Sequence, residues 1–213
     1  MRRTRTFTLA ALWVLLQLST AAADELTTVR RANDGDTVAL VDGRLVRYIG
    51  VNTPEIDHKQ KTADPFAVEA RAFNARLVEG QVVRLEFDAE RQDGYGRTLA
   101  YVYLPDGSMV NERLLLAGLA YCFYKTPNTR HEQRLLAAQR RAMREGQGMW
   151  RSWHEKEARY TGNAATRRFH RQGCSEARRI SARNRVTFTS RWAAFLAGYA
   201  PSRECLPLGH VAR

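Results

Sequence analysis

The stretch NDGDTVALVDGRLVRYIGVNTPEID, Asn33 to Asp57, alternates apolar and polar residues in the two-residue rhythm of β-strands. With the residues just before it, Val29 to Val51 reads as three short strands separated by DGD and VDGR, and Asp42-Gly43 is a hairpin-turn signal. The same stretch also holds the carboxylates Asp34, Asp36 and Glu55, among others, and an arginine, Arg47, set between apolar neighbours. Like charges repel, and an arginine in such a setting loses hydration. An arrangement of this kind needs a metal, a phosphate, or both.

Outward from this stretch the pattern stays that of a small barrel carrying helices. Asp64 can cap a helix starting at Pro65, with Phe66, Ala70, Phe73 and Leu77 as its apolar stripe and Gly80 as its stop. VRLEF alternates as strand, and RTLAYVYL, apolar on both faces, reads as a central strand ending at the PDG turn. Asn111 caps a leucine-rich helix ending near Gly118. Thr129 and Glu132 form a capping box for a helix that ends at Gly146. Short strands with a few helices predict an α+β barrel over residues 24–150. The polar stretch Met149 to Thr166 breaks the pattern, and we read 151–161 as a linker. Beyond it lies an arginine-rich unit, 162–213, with two of the three cysteines.

The chain has 213 residues, enough for one ordinary domain and something small. MRRTRT, an apolar run of about 13 residues, and TAAA with Ala21 and Ala23 predict a secretory signal peptide over 1–23. That run is too short to span a bilayer. Cleavage after Ala23 would leave a chain without a membrane span in an oxidising compartment, periplasmic or secreted. The net charge is +12, or +9 without Arg2, Arg3 and Arg5. Residues 24–150 hold 18 Lys and Arg against 18 Asp and Glu, whereas residues 151–213 hold 13 against four. Clustered arginine points to a polyanion, most simply nucleic acid.

Asp36, the Asn52 side chain and the Thr53 carbonyl are oxygen donors that suit a hard cation such as calcium. Arg47 lies one strand step away, and Arg97 follows the DGYGR turn. A metal, two arginines and a carboxylate are the parts needed to hydrolyse a phosphodiester.

DGDTVAL, VRYIGVNTPE, DGYGRTLAYVY, MVNERLLLAGLAYC and PNTRHEQRLLAAQRRA occur in the order and spacing of the staphylococcal (thermo)nuclease family, which the chain resembles over about residues 27–150. The resemblance implies a five-stranded OB-type β-barrel with three helices. It also implies a calcium-dependent nuclease, with one Ca2+ per domain, that cuts DNA and RNA with little sequence preference. Asp36 is then a metal carboxylate, Thr53 the backbone-carbonyl ligand, Glu55 the general base, and Arg47 and Arg97 the phosphate-binding arginines. Tyr95 and Tyr124 fall where the family places aromatics around the nucleotide, and Asp34 holds the loop rather than the metal. The common VDTPE reads VNTPE here, so Asn52 replaces a metal carboxylate; weaker calcium binding with retained activity is the expectation.

GNAATRRFHRQGCSEARRI and NRVTFTSRWAAFLAGYAPSRECLP resemble the small zinc-binding module related to the DNA-repair methyl-acceptor family, over about 162–207. This implies a small α/β accessory module. Its closing P-C-x-x-C reads PSREC, with Ser202 in the first cysteine position. His170, Cys174 and Cys205 remain, and serine is a poor zinc ligand. The alternatives are a vestigial zinc site and a Cys174–Cys205 disulfide. The disulfide is favoured because Cys122, inside LAYCFY, reads as a buried core thiol. His131 reads as structural. Two rival functions stand beside a nuclease. One is a catalytically inactive OB-fold nucleic-acid-binding protein; the other is an envelope module holding anionic lipid or cell-wall polymer. Arg47, Glu55 and Arg97 together argue against a pure binder, which needs no carboxylate beside phosphate. No stable protein partner is expected.

Overall fold

The computed structural model describes residues 24–57, 62–151, 153–155 and 158–206. The signal peptide read over 1–23, and residues 58–61 of the loop after Glu55, lie outside them. The first part of the chain runs β1 (Glu25–Ala32), β2 (Thr37–Leu40), β3 (Leu45–Tyr48), β4 (Gly50–Asn52), β5 (Ile56–Asp57), β6 (Thr62–Ala63) and α1 (Ala67–Val78). It continues through β7 (Val82–Glu86), β8 (Thr98–Tyr103), α2 (Val110–Leu116), β9 (Tyr121–Phe123) and α3 (Glu132–Arg144). Five strands close a barrel in the order β1-β2-β3-β8-β7. β1 pairs with β7 through residues 25–28 and with β2 through residues 29–32, bent by a bulge between Val29 and Arg31. Inward-facing Val38, Leu40, Val46, Val83, Leu85 and Val102 fill the interior. A closed five-stranded barrel with three helices is the α+β, OB-type architecture the sequence predicts.

Helix starts differ from the sequence reading. α1 begins at Ala67, after Phe66 in the left-handed region at φ 69°. Asp64 receives the Ala67 N–H on its backbone carbonyl, and its carboxylate goes elsewhere. Asn111 lies inside α2, fully buried. Its amide donates to the Ile49 carbonyl and accepts the Val102 N–H, which ties the helix to the barrel.

The remaining chain forms β10 (Tyr160–Asn163), β11 (Arg168–Arg171), α4 (Ser175–Arg178), β12 (Arg185–Phe188), α5 (Arg191–Leu196) and β13 (Ala200–Pro201). Its sheet has the order β12-β10-β11-β13, with β13 parallel to β11. Phe169, Phe188, Phe195 and Tyr199 of this unit share one apolar core with Tyr121, Ala142, Met143 and Trp150 of the first. Gln139 of α3, fully buried, bridges the two: its Oε1 accepts the Cys122 N–H, and its Nε2 donates to the Phe195 carbonyl, each at 2.6 Å. The segment read as a linker carries part of this junction. Trp153 contacts the Trp150, Trp192 and Phe195 rings. The buried Glu155 carboxylate accepts the Trp153 indole N–H and the N–H groups of Arg191 and Trp192 at the start of α5. A carboxylate at a helix N-terminus is favourably placed for the helix dipole.

Of the two alternatives for the cysteines, the structure has the disulfide: Cys174 and Cys205 are bonded, with Cα atoms 6.0 Å apart. His170 Nδ1 lies 3.6 Å from each sulfur. These ligand atoms all lie within 4.8 Å of one another, so a zinc here would require the disulfide to be reduced to thiolates first. Cys122 is buried in the barrel core, and burial pushes its thiol up to about 12. His131 is structural: it bonds Glu86 and stacks edge-on to Tyr101.

Candidate active site

Strand register builds the site. Thr37 of β2 stands opposite Arg47 of β3, which brings the preceding Asp36 to the arginine. Arg47 Nη2 lies 3.0 Å from Asp36 Oδ2. The chain then folds back at Gly50, φ 78°, where an added Cβ would meet Leu135 Cδ1 at 2.5 Å. That reversal lets Arg47 donate to the Tyr48 and Val51 carbonyls at 2.7 and 2.9 Å and to Asn52 Oδ1 at 2.8 Å. Asn52 pairs across β4 and β9 with Tyr121, and its Nδ2 donates to the Tyr121 hydroxyl and the Thr53 carbonyl. Asp36 also accepts the Thr53 N–H at 2.9 Å and the Thr37 hydroxyl at 3.2 Å. An arginine this deeply placed is tolerated because its contacts with protein oxygens replace water.

Glu55 sits at the rim. Its backbone is held from both sides by Asp64, whose carboxylate accepts the Glu55 N–H and whose own N–H goes to the Glu55 carbonyl. Burial and the charge of Asp36 raise the Glu55 carboxyl above its ordinary range, against the pull of Arg203 and Arg47. Burial, with Asp36 beside it, pushes Asp34 up to about 7. Across the cleft, Arg97 is locked by Asp93, which takes its Nε at 2.8 Å and Nη2 at 2.7 Å. Asp93 Oδ1 also accepts the backbone N–H groups of Tyr95 and Arg97. The Tyr95 ring stands in solvent beside the Arg97 guanidinium.

Asp36, Arg47, Asn52, Glu55, Tyr95 and Arg97 therefore line one cleft of about 550 Å³. Thr53 is buried and outside the lining, its carbonyl already accepting from Asn52. Tyr124 does not reach the cleft: it is buried, and its hydroxyl donates to the Glu132 carbonyl. Its neighbours Phe123 and Lys125 line the cleft instead, the one-residue parity of an extended segment. Sequence reasoning missed Tyr121, Asp93 and Arg203. Asp93 had a signal in its four-residue spacing from Arg97; Arg203 had none.

The donor set fits a hard divalent cation. Asp36 Oδ2 and Asn52 Oδ1 are close neighbours, both in contact with Arg47 Nη2, and every candidate ligand atom is an oxygen, the donor type such a cation takes. The mutual repulsion of Asp34, Asp36 and Glu55 is relieved by a positive charge among them.

Barrel, cleft and paired arginines are the setting in which comparison with known proteins points to a nuclease, a phosphodiesterase. The Staphylococcal nuclease homologue family model matches residues 45–152, and the chain belongs to that family. Asp34 and Asp36 lie ahead of the matched stretch, and the C-terminal unit lies after it. Among curated relatives, a thermonuclease of Staphylococcus hyicus is 39% identical over 132 residues, covering 61% of this chain and 78% of that protein. A thermonuclease of Staphylococcus intermedius is 38% identical over 135 residues, covering 62% and 80%. Endonuclease YncB of Bacillus subtilis (strain 168) is 38% identical over 128 residues, covering 58% and 60%.

Proposed function

We propose that the protein is a calcium-dependent endonuclease that works outside the cytoplasm and hydrolyses phosphodiester bonds of DNA and RNA with little sequence preference. The observation that carries this reading is the convergence of Arg47, Glu55 and Arg97 on one cleft with Asp36 and Asn52. Arg47 and Arg97 bind phosphate oxygens and stabilise the charge that builds on them in the transition state. Glu55 accepts the proton of the attacking water, and the environment that raises its proton affinity suits a base. Tyr95 offers its exposed ring to the nucleotide. Asp36 and Asn52, which line the cleft, would hold the cation, which when bound would supply positive charge to the phosphate and acidify water. The Cys174–Cys205 disulfide supports an oxidising compartment. Among the described residues no helix is long and apolar enough to cross a membrane.

The test is nicking of supercoiled plasmid, and cleavage of a single-stranded RNA, with calcium, with chelator, and with calcium restored. Chelation should abolish cutting and calcium should recover it. Full activity in chelator overturns the metal assignment, and no cutting under any condition overturns the nuclease.

A further inference from the structure

The C-terminal unit reaches into the cleft. After β13 the chain turns through Ser202–Cys205, and the turn is anchored on both sides. The Ser202 N–H donates to the carbonyl of fully buried Phe169, and the N–H groups of Cys205 and Leu206 close on the Ser202 carbonyl. Cys205 is tied to Cys174 by the disulfide. Arg203 projects from this turn and lines the cleft, its Nη2 bonded to Glu55 Oε1 and 3.4 Å from Asn52 Oδ1.

The three cleft arginines differ in how far they are committed. Arg47 is 12% exposed and spends both terminal nitrogens on four protein acceptors. Arg97 is 30% exposed and locked by Asp93. Arg203 is 62% exposed, and both of its contacts run through Nη2, which leaves the rest of the guanidinium fork facing solvent in the cleft. An ion pair between side chains this exposed contributes little to stability, so stability does not account for the contact. A second cation stands close by. Arg168 lies 3.6 Å over the Phe123 ring with backbone carbonyls as its acceptors, and burial together with the charge of Arg203 pushes it down to about 10. Arg168 thus brings to this wall a positive charge held by carbonyls and a ring and not by a carboxylate. A planar fork with free donors beside such charge is the group that takes a phosphate in two-point contact.

We propose that Arg203 is a substrate-contacting residue of the nuclease site, supplied by the C-terminal unit. It binds a phosphate of the nucleic-acid backbone next to Glu55, as a third arginine beside Arg47 and Arg97. The inference rests on the cleft being the nuclease site. The C-terminal unit thereby completes the cleft instead of trailing behind it.

The experiment uses the full chain with calcium and compares wild type, Arg203→Ala, Arg203→Lys and Glu55→Gln on a dinucleotide-sized substrate, too short to reach the outer face of the C-terminal unit. Arg203→Ala should raise KM about tenfold and lower kcat/KM about tenfold, with an unchanged melting temperature. Arg203→Lys, which keeps the charge and loses the fork, should recover part of the loss. Kinetics equal to wild type would make Arg203 an ornamental surface ion pair and overturn the inference. Faster turnover by Arg203→Ala would make it a blocker of Glu55 and overturn it equally. A wild type that cuts, with Glu55→Gln inactive, isolates either failure from the nuclease reading. A wild type that does not cut overturns both.

Discussion

The barrel and the C-terminal unit handle charge in opposite ways. The barrel is neutral, and its cleft arginines are matched by its own acids, Arg47 by Asp36 and Arg97 by Asp93. The C-terminal unit has far more arginines than acids, and some of them find partners across the junction: Arg167 reaches Glu132 of α3, and Arg203 reaches Glu55. Arg168 makes do with carbonyls and a ring. The barrel is thus neutral overall but lacks a covering for α3 and Trp150. The C-terminal unit supplies that covering and brings surplus positive charge to the side of the cleft.

The sharpest way to break this comparison is to cut the chain after Trp150. If the C-terminal unit were a basic tether, the barrel would keep its stability and its chemistry on short substrates. The shared core says otherwise. Truncation uncovers Tyr121, Ala142, Met143 and Trp150, and leaves the buried Gln139 Nε2 without the Phe195 carbonyl. Burying a few such side chains is worth about 5 kcal/mol or more. In a domain of this size that corresponds to a fall of about 15 °C in melting temperature. Calorimetry on the truncated chain checks it, and an unchanged melting temperature would make the unit a mere tether.

Within the barrel, Glu55→Gln and Arg47→Ala should each lower kcat by about a hundredfold or more, because both groups act in the transition state. Stability separates them. The Glu55 side chain is 48% exposed, so its neutral amide should melt like wild type. Arg47→Ala leaves the buried Asp36 carboxylate without its cation and takes a donor from two carbonyls, and should cost about 3 kcal/mol as well. Equal melting temperatures for the two variants would show that the Arg47 contacts are incidental to the fold.

Local patterns made most of the barrel legible. Alternation in VRLEF placed Val83 and Leu85 inside, and Asp42-Gly43 marked a turn where Gly43 has φ 92°. The cleft residues inside one short stretch were legible too, because Asp36, Arg47 and Asn52 meet through neighbouring strands. What failed was either a matter of one residue or of long range. Asp64 was read as a side-chain cap and instead fixes Glu55. Tyr124 was read for a cleft that Phe123 lines, since parity in an extended segment turns on a single position. Trp153 and Glu155 looked like linker because their polar neighbours dominate the local average, while the Glu155 partners Arg191 and Trp192 lie 36 and 37 residues away. Arg203 meets Asn52 across 151 residues, a contact no local pattern encodes.

Asn52→Asp sharpens the comparison at the metal end of the cleft. The added charge should tighten calcium about tenfold in titration calorimetry. The amide it replaces has two donor bonds, and Tyr121 can turn its hydroxyl to donate to a carboxylate, but the Thr53 carbonyl at 3.0 Å cannot. The variant should therefore melt lower than wild type without calcium and recover with it. Unchanged calcium affinity would remove Asn52 from the ligand set.

The smallest effect belongs to Asp34, and it tests whether the barrel's charge balance is complete without a cation. Its carboxyl has an ordinary value of 3.8 and is pushed up to about 7 in the folded chain, by burial first and by Asp36 second. A raised folded-state value means that the native state holds the proton more tightly than the unfolded chain. Stability from this group is therefore full below about pH 4, falls as the pH rises, and levels off above about pH 7. Asp34→Asn removes the titration and keeps an oxygen for the Asp36 N–H, which Asp34 Oδ1 accepts at 3.0 Å. Without calcium, the variant should melt with wild type at pH 4 and a few degrees above it at pH 8. Calcium should shrink the pH 8 difference, because a cation beside Asp36 and Glu55 stabilises the ionised Asp34 that the variant lacks. Melting curves at the two pH values decide the matter: a difference that is the same at both, or that favours wild type at pH 8, would mean that the cleft's carboxylates do not burden one another and that the barrel has no need of a metal for its charge balance.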